Sequence, residues 1–309
     1  VSNAEPRFLV TTADEDTWPA DGLGILFLGE WCRLYKRREV WERLDAKLVP
    51  YHWDDRKKLN SDYFYLIELH EILLLELSQK LNEIHGVDHS VRYWRILIGS
   101  WLGYFTQILF DRWSSLKQVE REYDIESTII LRGEEENLVP NDMTAFIEMF
   151  LGDKWNHYIY SLILQNSTGI KYTEVERVSS DGKSIDILKS SSLAKLKVKI
   201  RTFISGTLSL LQKSNDAFFI TTYLTLGDEL KLNARLKQFP QLRERTKPEI
   251  IETDFDQRQW ILPGNSLLEF ENCARAIIPL QLPKIYLEGY SALIKQSKSL
   301  TWPEHPKAI

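Results

Sequence analysis

At 309 residues, with 43% hydrophobic and 27% charged residues, the chain has the make-up of a folded globular protein with room for one large or two ordinary domains. Its net charge of −5 leaves no basic excess to neutralise phosphates, which argues against nucleic acid as the main partner. Two cysteines, Cys32 and Cys273, can build neither a disulfide framework nor a zinc site, so a reducing cytoplasm fits.

Residues 1–7 are polar and carry no secretory signal pattern. Residues 8–13 (FLVTTA) form an apolar, β-branched run that predicts a buried strand, followed by the acidic loop Asp14-Glu15-Asp16 and Trp18-Pro19. Residues 25–28 (ILFL) predict a second strand, ending in Gly29-Glu30-Trp31-Cys32. A short helix is expected over 38–44 and a third strand over 47–51 (KLVPY), with His52-Trp53-Asp54-Asp55-Arg56 after it. The plan repeats: apolar strand, then a polar or aromatic loop. In an open parallel sheet, ligands bind outside the carboxyl ends of the strands, so parallel pairing would gather Glu15, Glu30, His52 and Asp54 on one edge.

Residues 56–84 show apolar positions with a period near 3.6 and predict an amphipathic helix closed by Gly86. Residues 85–113 (HGVDHSVRYWRILIGSWLGYFTQILFDRW) predict a second helix capped by Ser90. It is apolar on every side, which implies burial on every side. The 15 uncharged residues from Ile96 to Phe110 fall short of the roughly 20 that a spanning helix needs. His85, His89, Arg92 and Arg95 gather at its N-terminal end. They either satisfy the end of a core helix or add to an anion site there. A strand over 127–131, a helix from Asp142 through Asn166, a polar loop over 179–192 and a basic amphipathic helix over 193–213 follow. The remainder reads as a strand over 217–224, helices over 227–238, 267–278 and 282–298, and the opening of another strand at 306–309.

Several groups could carry chemistry. Glu15 is the first choice for a general base and Glu30 the second, each just past a buried strand. Asp14 and Asp16 have the spacing of a carboxylate pair that grips a divalent ion, although acidic loops after strands are common. His52, Trp53, Asp54 and Arg56, with Trp31, suit a sugar: carboxylates accept from its hydroxyls and a ring covers its apolar face. The alternative for that segment is a turn with a helix cap. Cys32 reads as a buried thiol. No glycine-rich phosphate loop and no G-x-S-x-G elbow occurs.

TTADEDTWP (11–19), LGEWC (28–32), PYHWDDR (50–56), HGVDHSVRYWRILIG (85–99) and LFDRW (109–113) together resemble an uncharacterised family of bacterial transferases found with surface-polysaccharide genes. The resemblance covers residues 8–113, thins from 114 to 290 and returns near Trp302-Pro303 and Pro306-Lys307. It implies the N-terminal, acceptor-side half of a two-domain, GT-B-like glycosyltransferase, with the donor-binding half beyond this chain. Residues 1–300 would then be a Rossmann-like α/β domain with a parallel sheet and a helical insertion over about 56–120, and 301–309 the start of the second domain. The expected substrates are a nucleotide sugar and a surface-polysaccharide acceptor, with no cofactor, no metal and room for peripheral membrane association. The resemblance supplies no site residues; the strand ends and the start of the second long helix make Asp14, Trp31, His52, Trp53, Asp54, Arg56, His89, Arg92 and Arg95 the expected substrate contacts. The competing expectation is a non-catalytic module that binds glycans or a partner in a polysaccharide assembly complex.

Overall fold

The computed structural model describes residues 5–19, 22–177, 213, 215–219, 222–239, 250–300 and 306–307. The chain divides into two compact units: Val1–Val178 with Ile250–Ser291, and Ser179–Glu249 with Ala292–Ile309. In the first unit, β1 (Arg7–Val10), β2 (Ile25–Phe27), β3 (Ala46–Leu48), β4 (Ile125–Arg132) and β5 (Tyr172–Glu176) form a sheet in the order β3-β2-β1-β4-β5. All four pairings are parallel. This is the order of the first five strands of a Rossmann sheet, in which the chain reverses direction between β1 and β4. The expected parallel sheet is therefore present, and its central strands are hidden: Leu9, Val10, Leu26 and Phe27 are almost inaccessible.

Between β3 and β4 lies a helical hairpin. It is made of the long α2 (Arg56–His85) and α3 (Val91–Glu122), while the short α1 (Arg38–Trp41) lies earlier, between β2 and β3. Asp55 caps α2 by accepting from the Lys57 and Lys58 amides, and Gly86, at φ 62°, ends it in the left-handed region where glycine is favoured. Ser90 caps α3 as expected, its side chain accepting from the Tyr93 amide. The helix continues past Trp113 to Glu122, because the stretch after Trp113 still places Leu116 and Val119 in the core. Helix α3 packs on α2, on α5 (Asp153–Ser167) and on α7 (Glu269–Gln281), and this buries Trp94, Trp101, Phe105 and Leu109. It is not covered all round. Ile96 is 74% and Tyr104 58% exposed, on the stripe that those three helices leave uncovered.

Other expectations need correction. The helix expected from Asp142 to Asn166 is two, α4 (Met143–Met149) and α5, because the chain is extended at Gly152. The Asn156 side chain donates to the carbonyls of Phe150 and Gly152 and satisfies the break. The single helix expected over 282–298 divides into a 3₁₀ turn (Lys284–Tyr286) and α8 (Tyr290–Ser299). The Lys284 and Ile285 amides donate to Pro140 and Asn141 instead of continuing a helix. Strand β5, after α5, was not expected.

In the second unit, Thr225 caps α6 (Leu226–Arg235). The strand expected over 217–224 is absent at the described residues 217–219 and 222–224. There the Gln238 side chain takes the place of a neighbouring strand, accepting from the Ala217 amide and donating to its carbonyl. Pro306 and Lys307 likewise form no strand, and the loop over 179–192 lies outside the described residues, as does the helix expected over 193–213, apart from Lys213. Among the described residues no helix is long and apolar enough to cross a membrane.

Candidate active site at the carboxyl edge of the sheet

The reversal between β1 and β4 opens a crevice at their carboxyl ends, the place where a parallel sheet of this order binds ligands. Asp14 follows β1. Its carboxylate accepts from the Asp16 amide and pairs with Arg177, at 2.8 Å, just past β5. Glu134, past β4, and Asp16 lie 3.6 and 3.9 Å from the same guanidinium, which is only 10% exposed. Helix α5 points its N-terminus into this group, and Asp153 in its first turn accepts from the Ala13 amide. Burial pushes the Asp153 carboxyl up, the Ala13 N–H opposes this, and the Asp14 charge adds to it. Among the described residues Asp153 has no cationic partner within ion-pair distance. A half-buried carboxylate of raised pKa in a cleft is suited to take a proton.

Glu15 has a different setting. Its two oxygens accept from Arg37 at 2.6 and 2.7 Å, and that hydrogen-bonded pair holds its carboxyl below the ordinary range. Glu30 is clamped by Arg33 in the same bidentate way. Both lie at the expected strand ends, each bound to an arginine.

A second group stands past β2 and β3. Buried Asp111 accepts from the Tyr51 hydroxyl at 2.7 Å and from His52 Nε2 at 3.0 Å, and it pairs with Arg112. Burial raises the Asp111 carboxyl, but the His52 hydrogen bond and the Arg112 charge outweigh that and hold it low. The Lys58 ammonium faces His52 Nδ1 at 3.3 Å, which assigns the ring proton to Nε2. Lys58 also pairs with Asp62, which accepts from Trp53 Nε1. Arg112 donates on to Asn156 of α5, so this cluster and the first share a helix. Asp54 and Arg56 are exposed at the start of α2.

Trp31 joins the two clusters. Its Nε1–H donates to Thr11 O at 2.9 Å, and its ring lies over Gly29, where a Cβ would come within 2.2 Å of it. Gly29→Ala is expected to push the ring off this seat and to cost about 1–3 kcal/mol. Thermal unfolding and the near-ultraviolet dichroism of tryptophan would show it; an unchanged aromatic signal would mean that the ring does not depend on Gly29. Cys32 is buried, and burial drives its thiol up to about 12, as for a structural thiol.

The cluster at the start of α3 lies elsewhere. Arg92 stands about 28 Å along the helix from Asp111, nineteen residues at 1.5 Å each. His85 stacks on Tyr290 and its Nε2–H donates to Tyr286 O at 3.1 Å, so the ring proton is on Nε2. His89 stacks on Tyr93, Asn82 ties down its backbone, and Arg95 pairs with Glu71. The geometry does not bring His89, Arg92 or Arg95 to the strand ends. Asp153, Arg177, Asp111 and His157 are the residues that reading the sequence missed. Among the described residues no group of three or more His, Cys, Asp or Glu side chains could hold a metal ion. A cavity of about 480 Å³ lies at the opposite edge, among Arg7, Lys47, Arg121 and Glu122, away from the strand ends where ligands bind.

A family model described as LIC12162 family transferase matches residues 7–309. No curated protein and no solved structure matches the chain.

Proposed function

This chain belongs to the LIC12162 transferase family, and on that premise we propose that it is the acceptor side of a glycosyltransferase that builds a surface polysaccharide in the cytoplasm. The acceptor hydroxyl attacks the anomeric carbon of a nucleotide sugar; the new C–O bond forms as the bond to the nucleotide phosphate breaks. The acceptor's proton goes to a carboxylate at the carboxyl edge, and the nucleotide leaves with the electron pair. The donor-binding half is proposed to be a second domain beyond this chain. One observation carries the reading: at the carboxyl ends of β1 and β4 the Asp153 carboxyl, raised by burial, accepts from the Ala13 amide and, among the described residues, pairs with no cation. Asp153 suits the base role better than Glu15, whose carboxyl the Arg37 hydrogen bonds hold low, and better than Glu30, whose two oxygens are taken up by Arg33.

The test is turnover by the protein with its donor-binding half, read as release of the nucleotide from nucleotide sugars in the presence of glycan acceptors. Asp153→Asn is expected to lower kcat about 10²- to 10⁴-fold. Glu15→Gln and Glu30→Gln are expected to act mainly on KM. Loss of kcat in Glu15→Gln instead would move the base to Glu15. Turnover kept in all three variants would remove the carboxylate-base mechanism altogether.

A further inference from the structure

Three aromatic side chains stand at the carboxyl ends of β2 and β3, and a hydrogen bond at its polar tip tethers each. Trp31 is held by Thr11 O, the Tyr51 hydroxyl by Asp111 at 2.7 Å, and Trp53 Nε1 by Asp62 at 2.9 Å. Trp31 and Tyr51 meet edge to face at 6.2 Å, and Tyr51 and Trp53 at 6.1 Å. Rings placed only to fill a core would be covered, yet Tyr51 is 38% exposed and both tryptophans are half-buried. The tethers leave the rings little freedom to lose on binding, as in a preformed site. Their cost is also built in: Asp111 is held ionised inside the protein by Arg112 and His52, and its acceptor oxygen is used on Tyr51.

We propose that Trp31 and Tyr51, set edge to face, form a rigid aromatic platform on which a neutral pyranose ring of the acceptor stacks against one ring and meets the other side-on, with Trp53 as its outer wall. This deepens the acceptor-side reading and rests on it. The chemistry that fits is a sugar whose axial C–H groups make an apolar face: π-faces attract it, and the fixed edges leave its hydroxyls to the solvent and to Glu30 and Arg33 beside Trp31. The platform also has the correct placement for the reaction. Trp31 is tied to Thr11 and Asp153 to Ala13, so the two anchors are two residues apart in the chain, at most about 7 Å. A sugar on the platform would therefore present a hydroxyl within reach of the Asp153 carboxylate.

The 309-residue chain would be titrated with a panel of neutral hexose and N-acetylhexosamine disaccharides, with saturation-transfer NMR as the readout. At least one is expected to bind at millimolar concentration, with magnetisation reaching the C–H protons of one ring face. Trp31→Ala and Tyr51→Ala are each expected to weaken it about tenfold. Tyr51→Phe keeps the ring and loses the tether, so it is expected to bind more weakly than the native chain and more tightly than Tyr51→Ala. Trp31→Phe does the same for the other ring and guards against a misfolded alanine variant. The base is read separately, from the turnover of Asp153→Asn, so the two proposals can fail independently. No binding by any sugar of the panel, or equal binding by the alanine variants, would overturn the platform and leave the base assignment standing.

Discussion

Replacing Arg258 by methionine is expected to lower the unfolding free energy by about 3–5 kcal/mol, read from urea or thermal denaturation. The Arg258 side chain has no exposure at all, and Glu288, its bidentate partner at 2.7 Å through both nitrogens, is 6% exposed. The guanidinium also donates to the carbonyls of Pro279 and Leu282 at the end of α7, where Pro279 and the helix terminus leave carbonyls without a helical partner. Four charge-assisted bonds thus disappear together, and Glu288 is left as a buried, unpaired charge. The desolvation cost of that charge, rather than the value of the pair, sets the size of the loss. The double variant Arg258→Met, Glu288→Leu removes both charges and is expected to recover most of the stability. The consequence reaches the crevice. Gln281, in the same terminal turn of α7, accepts from Trp155 Nε1, and Trp155 is two residues from Asp153. A single variant that costs less than about 1 kcal/mol would mean that water or a backbone shift already relieves Glu288.

The first half of the fold could be read because its strands are buried on both faces and appear as plain apolar runs: FLV, ILF and the STIIL of β4. Parallel pairing then gathers the strand ends as expected. Strand β5 was invisible for the opposite reason. All five of its residues are exposed, so no apolar run marks it; only the β-branched Thr173 and Val175, alternating with Glu174 and Glu176, hint at an edge strand. Without β5 there was no reason to place Arg177 beside Asp14. Asp153 was hidden by a different error, since a single helix capped by Asp142 was read straight through the break at Gly152. Gly152 was the signal that could have found it. Asp111 appeared in the sequence only as a terminal charge of a helix read as ending nearby; partners 59 and 60 residues away, His52 and Tyr51, fall in no local pattern. The second half failed on strands at 217–219 and 222–224 because Phe218 and Ala217 are buried without a ladder, a tertiary arrangement that apolar runs do not encode.

Acid is expected to unfold the protein in a step that belongs to His157. The residue lies one turn after Asp153 on α5 and is 2% exposed. Its Nε2 accepts from the Leu131 amide at 3.0 Å, so the ring proton is on Nδ1 and the ring is neutral. Burial pushes its pKa down to about 4 from 6.5; of the charges facing it, Asp14 opposes this and Arg177 adds to it. Because the folded value is the lower, the unfolded chain binds the proton first as pH falls through 6.5, and stability drains away until the folded form is protonated near 4. A gap of that width corresponds to about 3 kcal/mol. Protonation would also break the bond to Leu131, which anchors the carboxyl end of β4 beside the crevice. His85, lowered by burial, works in the same direction, while Glu15 and Glu71, held low by Arg37 and Arg95, add losses only once the pH reaches the carboxylate range. The comparison that isolates the step is His157→Gln, whose amide oxygen can take the Leu131 N–H and whose side chain does not titrate. Denaturation followed from about pH 7 to about pH 4 is expected to cost the native chain about 3 kcal/mol more than the variant. If the two curves run parallel over that range, the ring is not neutral and buried in the folded protein, and β4 has some other anchor.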